Sequence, residues 1–185
     1  MTDVLAWLFA TLFVVVIIGW YLSYSAARLD RLHIRLSGTA AALDAQLVRR
    51  AEAALELANS GLLDGATSLI LAHAATESLE MPDEHGEVRE MTESQLTEAL
   101  EATLTAPALA AIASMHDGQA ADEPLARLGS ACTRVQLSRR FHNDAVTDVR
   151  RVRRKWVVRV FHLAGHTPLP STIEFDDDAP PALVP

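Results

Sequence analysis

At 185 residues the chain has room for one domain of ordinary size once a membrane segment is subtracted, and not comfortably for two. Half of the residues are apolar but only 5% are aromatic, and alanine, leucine, arginine and glutamate dominate, a mixture that favours helices over strands. The lone cysteine, Cys132, excludes an intramolecular disulfide framework, and the net charge of -8 argues against a generally basic, nucleic-acid-coating protein.

Val4 to Leu22 is nineteen residues without a charge, and the uncharged run continues to Ala27. As a helix the nineteen reach about 28 Å, close to the hydrocarbon thickness of a bilayer. Twelve Val, Leu, Ile and Phe residues in the run favour insertion by roughly 4 to 7 kcal/mol. Trp7 near one end and Trp20 and Tyr21 near the other stand where interfacial aromatics belong. Residues 1–27 are therefore predicted to be an N-terminal segment with a transmembrane anchor helix. A cleaved signal peptide is the rival, with Ser25 and Ala27 as a small-residue cleavage site, but no positive charge precedes the run. Arg28, Arg31 and Arg35 follow it directly, and this positive-inside bias places the N-terminus outside and the rest of the chain in the cytoplasm. Gly19, Ser23 and Ala27 recur every four residues, a spacing that lets membrane helices pack closely; chance placement at the membrane edge is the plainer account.

Residues 28–165 are predicted to be a helical domain. Leu29, Leu32, Leu36, Ala40, Leu43, Leu47, Ala51, Ala54 and Ala58 recur three or four apart, one apolar stripe on a helix that continues the membrane segment and stops near Asn59, Ser60 and Gly61. A shorter helix is expected over about Ala66 to Leu79, with Leu69, Ala72 and Thr76 on one face. Pro82 and the run Asp83 to Glu87 form an exposed acidic loop. Thr92, with Gln95 three residues on, reads as a capping box opening a helix that ends near Thr105. A short piece follows from Pro107 to Met115, closed by Asp117-Gly118. Asp122 and Pro124 start the longest stripe, Leu128, Cys132, Val135, Ser138, His142, Ala145, Val149, Val152, Trp156 and Val160, expected to end at Gly165. Residues 166–185, rich in proline and Asp, are predicted to be a disordered tail. The fold class is all-α: an N-terminal transmembrane helix followed by an up-and-down antiparallel helical bundle of about four main helices.

Two segments carry a family resemblance. Leu43-Asp44-Ala45-Gln46-Leu47-Val48-Arg49-Arg50 is similar to a LemA motif in which an acidic residue precedes Gln-Leu and paired basic residues. Arg139-Arg140-Phe141-His142-Asn143-Asp144-Ala145-Val146 resembles a second LemA signature, and the N-terminal anchor and closing Glu174-Phe175 also fit. The resemblance implies a membrane-attached helical bundle and brings no catalytic residues with it.

The residues themselves offer little chemistry. Neither a phosphate-cradling glycine loop nor a paired-cysteine site or nucleophile signature is present in the sequence, so neither enzyme activity nor a cofactor is expected. His162 and His166 stand four apart, but Gly165 interrupts the turn that would align them on zinc, and a helix C-terminus that favours imidazole explains them better. His142 and Cys132 fall on the apolar stripe, where a hydrogen-bonded core histidine and a small buried thiol are the ordinary occupants. Asp83, Glu84 and Glu87 lack the alternating ligands of a calcium loop.

Charge is segregated along the chain. Between Ala51 and Ala126 fifteen Asp and Glu face one basic residue, Arg89, whereas Arg127 to Arg159 holds ten Lys and Arg against Asp144 and Asp148. Arg150, Arg151, Arg153, Arg154, Lys155 and Arg159, interleaved with Trp156 and Phe161, form a candidate contact with anionic inner-leaflet lipid. A solvated face balancing the acidic middle weighs equally, and nucleic acid less. The function expected is a non-enzymatic envelope scaffold or interaction module, with membrane lipids, an unidentified protein or copies of itself as partners. An accessory or sensor subunit of a membrane protease or signalling complex is the alternative.

Overall fold

The computed structural model describes residues 2–82, 86–115, 118–161, 165, 168–181 and 183. Six helices follow in order among these residues: α1 (Thr2–Asn59), α2 (Gly65–Glu80), α3 (Glu87–Thr103), α4 (Ala106–Met115), α5 (Gly118–Arg153) and α6 (Trp156–Val160). The described residues contain no strand. Two compact units divide the chain, Met1–Gly38 with Asp144–Ser171, and Thr39–Asn143 with Thr172–Pro185.

In the first unit the N-terminal part of α1 is long and apolar enough to cross a bilayer, and none of that stretch is buried by protein. After it Leu29 meets Val152 and Val158 in a small buried cluster bordered by Leu32. The stripe expected to run unbroken to Gly165 is interrupted: Lys155 is extended (φ -62, ψ 134), and α6 starts again in a new phase. That shift turns Val157 and Val158 inward and leaves Trp156 and Val160, both expected on the core face, exposed. Arg150 Nε donates to the Pro170 carbonyl and Arg153 Nη1 to that of Pro168, both at 2.8 Å, so the chain leaving α6 is held back along α5.

The second unit holds the larger core. Ala51, Ala54, Leu57 and Ala58 of α1 pack with Leu71 and Ala75 of α2, Leu96 and Leu100 of α3, Ile112 of α4 and Leu128 and Cys132 of α5. Burial pushes the Cys132 thiol above its ordinary pKa, which keeps it an inert apolar filler. The stop at Asn59-Ser60-Gly61 is as expected: Gly61 takes the left-handed conformation (φ 78), and Ser60 Oγ donates to the Leu57 carbonyl. On α2 the inward face is Leu71, Ala75 and Ser78, while Leu69, expected inside, is exposed. Register there was decided by which residues reach α3, and Ser78 has a partner on it.

Helix starts differ from the expected ones. Thr92 lies inside α3, which begins a turn earlier, so that Arg89 also joins the inward face beside Glu93. Pro124 lies inside α5 instead of opening it; proline has no N–H for the helix, so one intrahelical bond is missing there. The expected acidic loop falls partly on 83–85, and His162 and His166 fall on 162–164 and 166–167, outside the described residues.

Asp64, which periodicity does not reveal, caps α2 by accepting from the N–H groups of Ala66 (3.0 Å) and Thr67 (3.1 Å). The Thr67 hydroxyl bond and these amides hold its carboxyl below the ordinary 3.8. A carboxyl whose folded pKa is depressed contributes stability above its unfolded pKa and loses it as pH falls through the folded one. Asp64→Ala is therefore expected to melt lower than the parent at neutral pH, with the gap closing as pH drops below 3.8, read from helical circular dichroism.

Candidate functional site

Part of the tail expected to be disordered makes contacts with the helices. Residues 168–180 form neither helix nor strand, and within the second unit Ile173, Phe175 and Asp177 are buried while Glu174 and Asp176 are exposed, the period of two of an extended segment. No strand pairs with this strap among the described residues, and helix side chains supply the bonds to its backbone. Asn143 Nδ2 donates to the Ile173 carbonyl (3.1 Å) and Asn143 Oδ1 accepts from the Ile173 N–H (3.0 Å). Thr97 Oγ1 donates to the Asp176 carbonyl (2.7 Å), Ser94 Oγ accepts from the Asp176 N–H (3.0 Å), and Gln136 Nε2 donates to the Asp177 carbonyl (2.8 Å). Arg139 grips both carboxylate oxygens of Asp177, at 2.7 and 2.8 Å. Those bonds raise the Arg139 pKa, keeping the guanidinium charged.

Phe175 lies under two cations. The guanidinium carbons of Arg50 and Arg139 are 5.8 and 5.6 Å from its ring centroid, within cation–π range. Arg50, on α1, is 1% exposed, and its charge is met by Glu93 on α3, 0% exposed. Arg50 Nη2 donates to Glu93 Oε2 at 2.8 Å and Nη1 to Thr97 Oγ1 at 3.0 Å. Ser78 Oγ donates to Glu93 Oε1 at 2.9 Å. Arg89 Nε stands 3.0 Å from that same oxygen, an ion-pair contact whose angle falls short of a hydrogen bond, so Glu93 serves two guanidiniums. Sequence reasoning missed this cluster because its members are dispersed. One signal was present: Ile173-Glu174-Phe175-Asp176 alternates apolar and acidic residues, as a half-buried extended segment does.

The basic run sorts into three groups in the first unit. Arg150, Arg153, Arg154 and Arg159 converge with Leu169 around a cleft of 480 Å³. Arg151 turns to Asp148 at 3.6 Å, an acid shared with Arg35 at 3.6 Å. Lys155 borders another crevice with Tyr21, Tyr24 and Arg28. On α1, Gly19, Ser23 and Ala27 are all exposed, and a Cβ built on Gly19 meets nothing within 4 Å. In the second unit His142 is buried with Nδ1 3.5 Å from Thr39 Oγ1, the environment of a core histidine.

The side chains around Phe175 and Asp177 clasp the chain's own residues 173–177, and the 480 Å³ cleft concentrates positive charge; neither places a nucleophile beside a base. Comparison with known proteins returns no match: no family profile fits the chain, and no curated protein or solved structure is similar to it.

Proposed function

We propose that this chain is a single-pass membrane protein whose helical units lie on the cytoplasmic side and act as a non-enzymatic scaffold or interaction module of the cell envelope. One observation carries the reading: an apolar helical segment with no protein covering it leads directly into Arg28, Arg31 and Arg35, in the same unit as the four-arginine cleft. Water exposure of so many Val, Ile, Phe and Leu side chains would be very unfavourable, whereas a bilayer accepts them. Arginines flanking the segment and gathered in the cleft suit an anionic cytoplasmic leaflet.

In this reading the helices form an up-and-down antiparallel bundle of about four main members, and the protein belongs with LemA. The support for LemA is internal. Arg50, Arg139, Asn143 and Phe175 come from the three segments that resemble the family, and they meet in one clasp.

Alkaline carbonate washing and protease protection test the proposal. The full chain is expected to stay in the membrane pellet with its N-terminal segment intact, and protease is expected to reach the helical units only in inside-out vesicles. Release as a shortened soluble protein would overturn the anchor; digestion only in right-side-out vesicles would reverse the orientation.

A further inference from the structure

α6 is five residues long and buries Val157 and Val158, yet Trp156 (71%), Val160 (60%) and the following Phe161 (47%) are exposed. Three large apolar side chains exposed within six residues are unfavourable in water and ordinary at a membrane surface, where tryptophan prefers the headgroup level. Trp156 and Phe161 wall an apolar crevice of 380 Å³ whose opposite side is Ile17, Ile18 and Leu22 of α1. Tyr21 and Val157 line this crevice and also a second one, of 210 Å³, so the two share a wall. The second is bordered by Tyr24, Ser25, Arg28 and Lys155.

The order along α1 has chemical content. Apolar walls come first, then phenol and hydroxyl groups, then cations, over roughly 16 Å from Ile17 to Arg28 at the helical rise. A phospholipid presents the same sequence of groups: acyl chain, glycerol ester oxygens, phosphate. Arg28 and Lys155 pair with no carboxylate among the described residues, unlike Arg35 and Arg151, which share Asp148.

We propose that the two crevices are one site for a single anionic phospholipid. Its acyl chain runs between Ile17, Ile18, Leu22 and Trp156, its ester oxygens lie beside Tyr21, Tyr24 and Ser25, and its phosphate lies between Arg28 and Lys155. A choline headgroup brings a cation toward that basic pair and is disfavoured there. The site rests on the transmembrane reading above, because the apolar crevice is at bilayer depth only if α1 spans.

Native mass spectrometry of the full chain, titrated with phosphatidylglycerol or phosphatidylcholine, reads the site directly. One phosphatidylglycerol per chain is expected to be retained, saturably, about tenfold over phosphatidylcholine. The double variant Arg28→Gln/Lys155→Gln should abolish that preference, Trp156→Ala/Phe161→Ala should weaken both lipids alike, and Arg134→Gln, in the second unit, should change neither. Water-soluble glycerol phosphate should not displace the lipid, since it has no acyl chain; displacement would mean a phosphate site only and overturn the proposal. Equal retention of both lipids, uptake without saturation, or an unchanged Arg28→Gln/Lys155→Gln variant would also overturn it. A chain that fails these tests yet resists alkaline extraction loses the lipid site and keeps the anchor.

Discussion

Glu93→Ala is expected to cost the helical domain about 3 to 5 kcal/mol, a large fraction of the roughly 5 to 15 kcal/mol by which an ordinary domain is stable. Glu93 has no solvent exposure and meets Arg50 and Arg89, themselves 1% and 6% exposed. Without its carboxylate two guanidiniums stay buried with no counter-charge, and neither can reach water without opening the contacts of α1, α2 and α3 with one another. The penalty comes from that uncompensated charge and not from the worth of the pair itself. Arg50→Met/Glu93→Leu should therefore lose clearly less than the sum of its two single variants. Urea titration of the full chain in detergent, followed by helical circular dichroism, measures all of them. A loss for Glu93→Ala below about 1 kcal/mol would show that water reaches the cluster and that the two arginines are not confined.

Phe175→Ala is the second large effect, expected at about 3 kcal/mol from lost burial and from two cation–π contacts. Its consequence is local as well. The strap has no ladder of its own, so its bonds to Asn143, Thr97, Ser94 and Gln136 weaken when the ring no longer holds the segment between Arg50 and Arg139. Hydrogen exchange should find the amides of Ile173 and Asp176 protected in the parent chain and fast in the variant. Equal exchange in both would mean that the ring does not fasten the strap. An Asn143→Ala variant separates the contributions: it removes the paired bonds to Ile173 and leaves Phe175 on its two cations.

Helices were legible because burial repeats every three or four residues. Leu29, Leu43, Leu47, Ala51, Ala54 and Ala58 are buried where α1 was expected to face the core, and so are Leu128, Cys132, Val135, Ala145 and Val149 on α5. The stop at Gly61 was legible because a left-handed residue favours glycine. Phase was not legible wherever a break or a polar partner decided it. Trp156 fits the stripe numerically, but Lys155 leaves the helix and resets the count. Leu69 is apolar enough for a core face, yet α2 turns Ser78 inward because Glu93 accepts its hydroxyl.

What the chain determined by itself is set by local composition and period: the uncharged segment able to cross a bilayer, the helical class, and the basic run after it. These depend on neighbours within a few residues, which is all that a stripe or a hydropathy run records. Only the tertiary structure decided that Arg50, Arg89 and Glu93 share one dry cluster, and that Ile173 to Asp177 of the acidic tail meet Arg139, Asn143 and Thr97. Such a tail is too polar to order on its own; it orders because Arg139, Asn143 and Thr97, far away in sequence, supply the charge and the hydrogen bonds its backbone lacks.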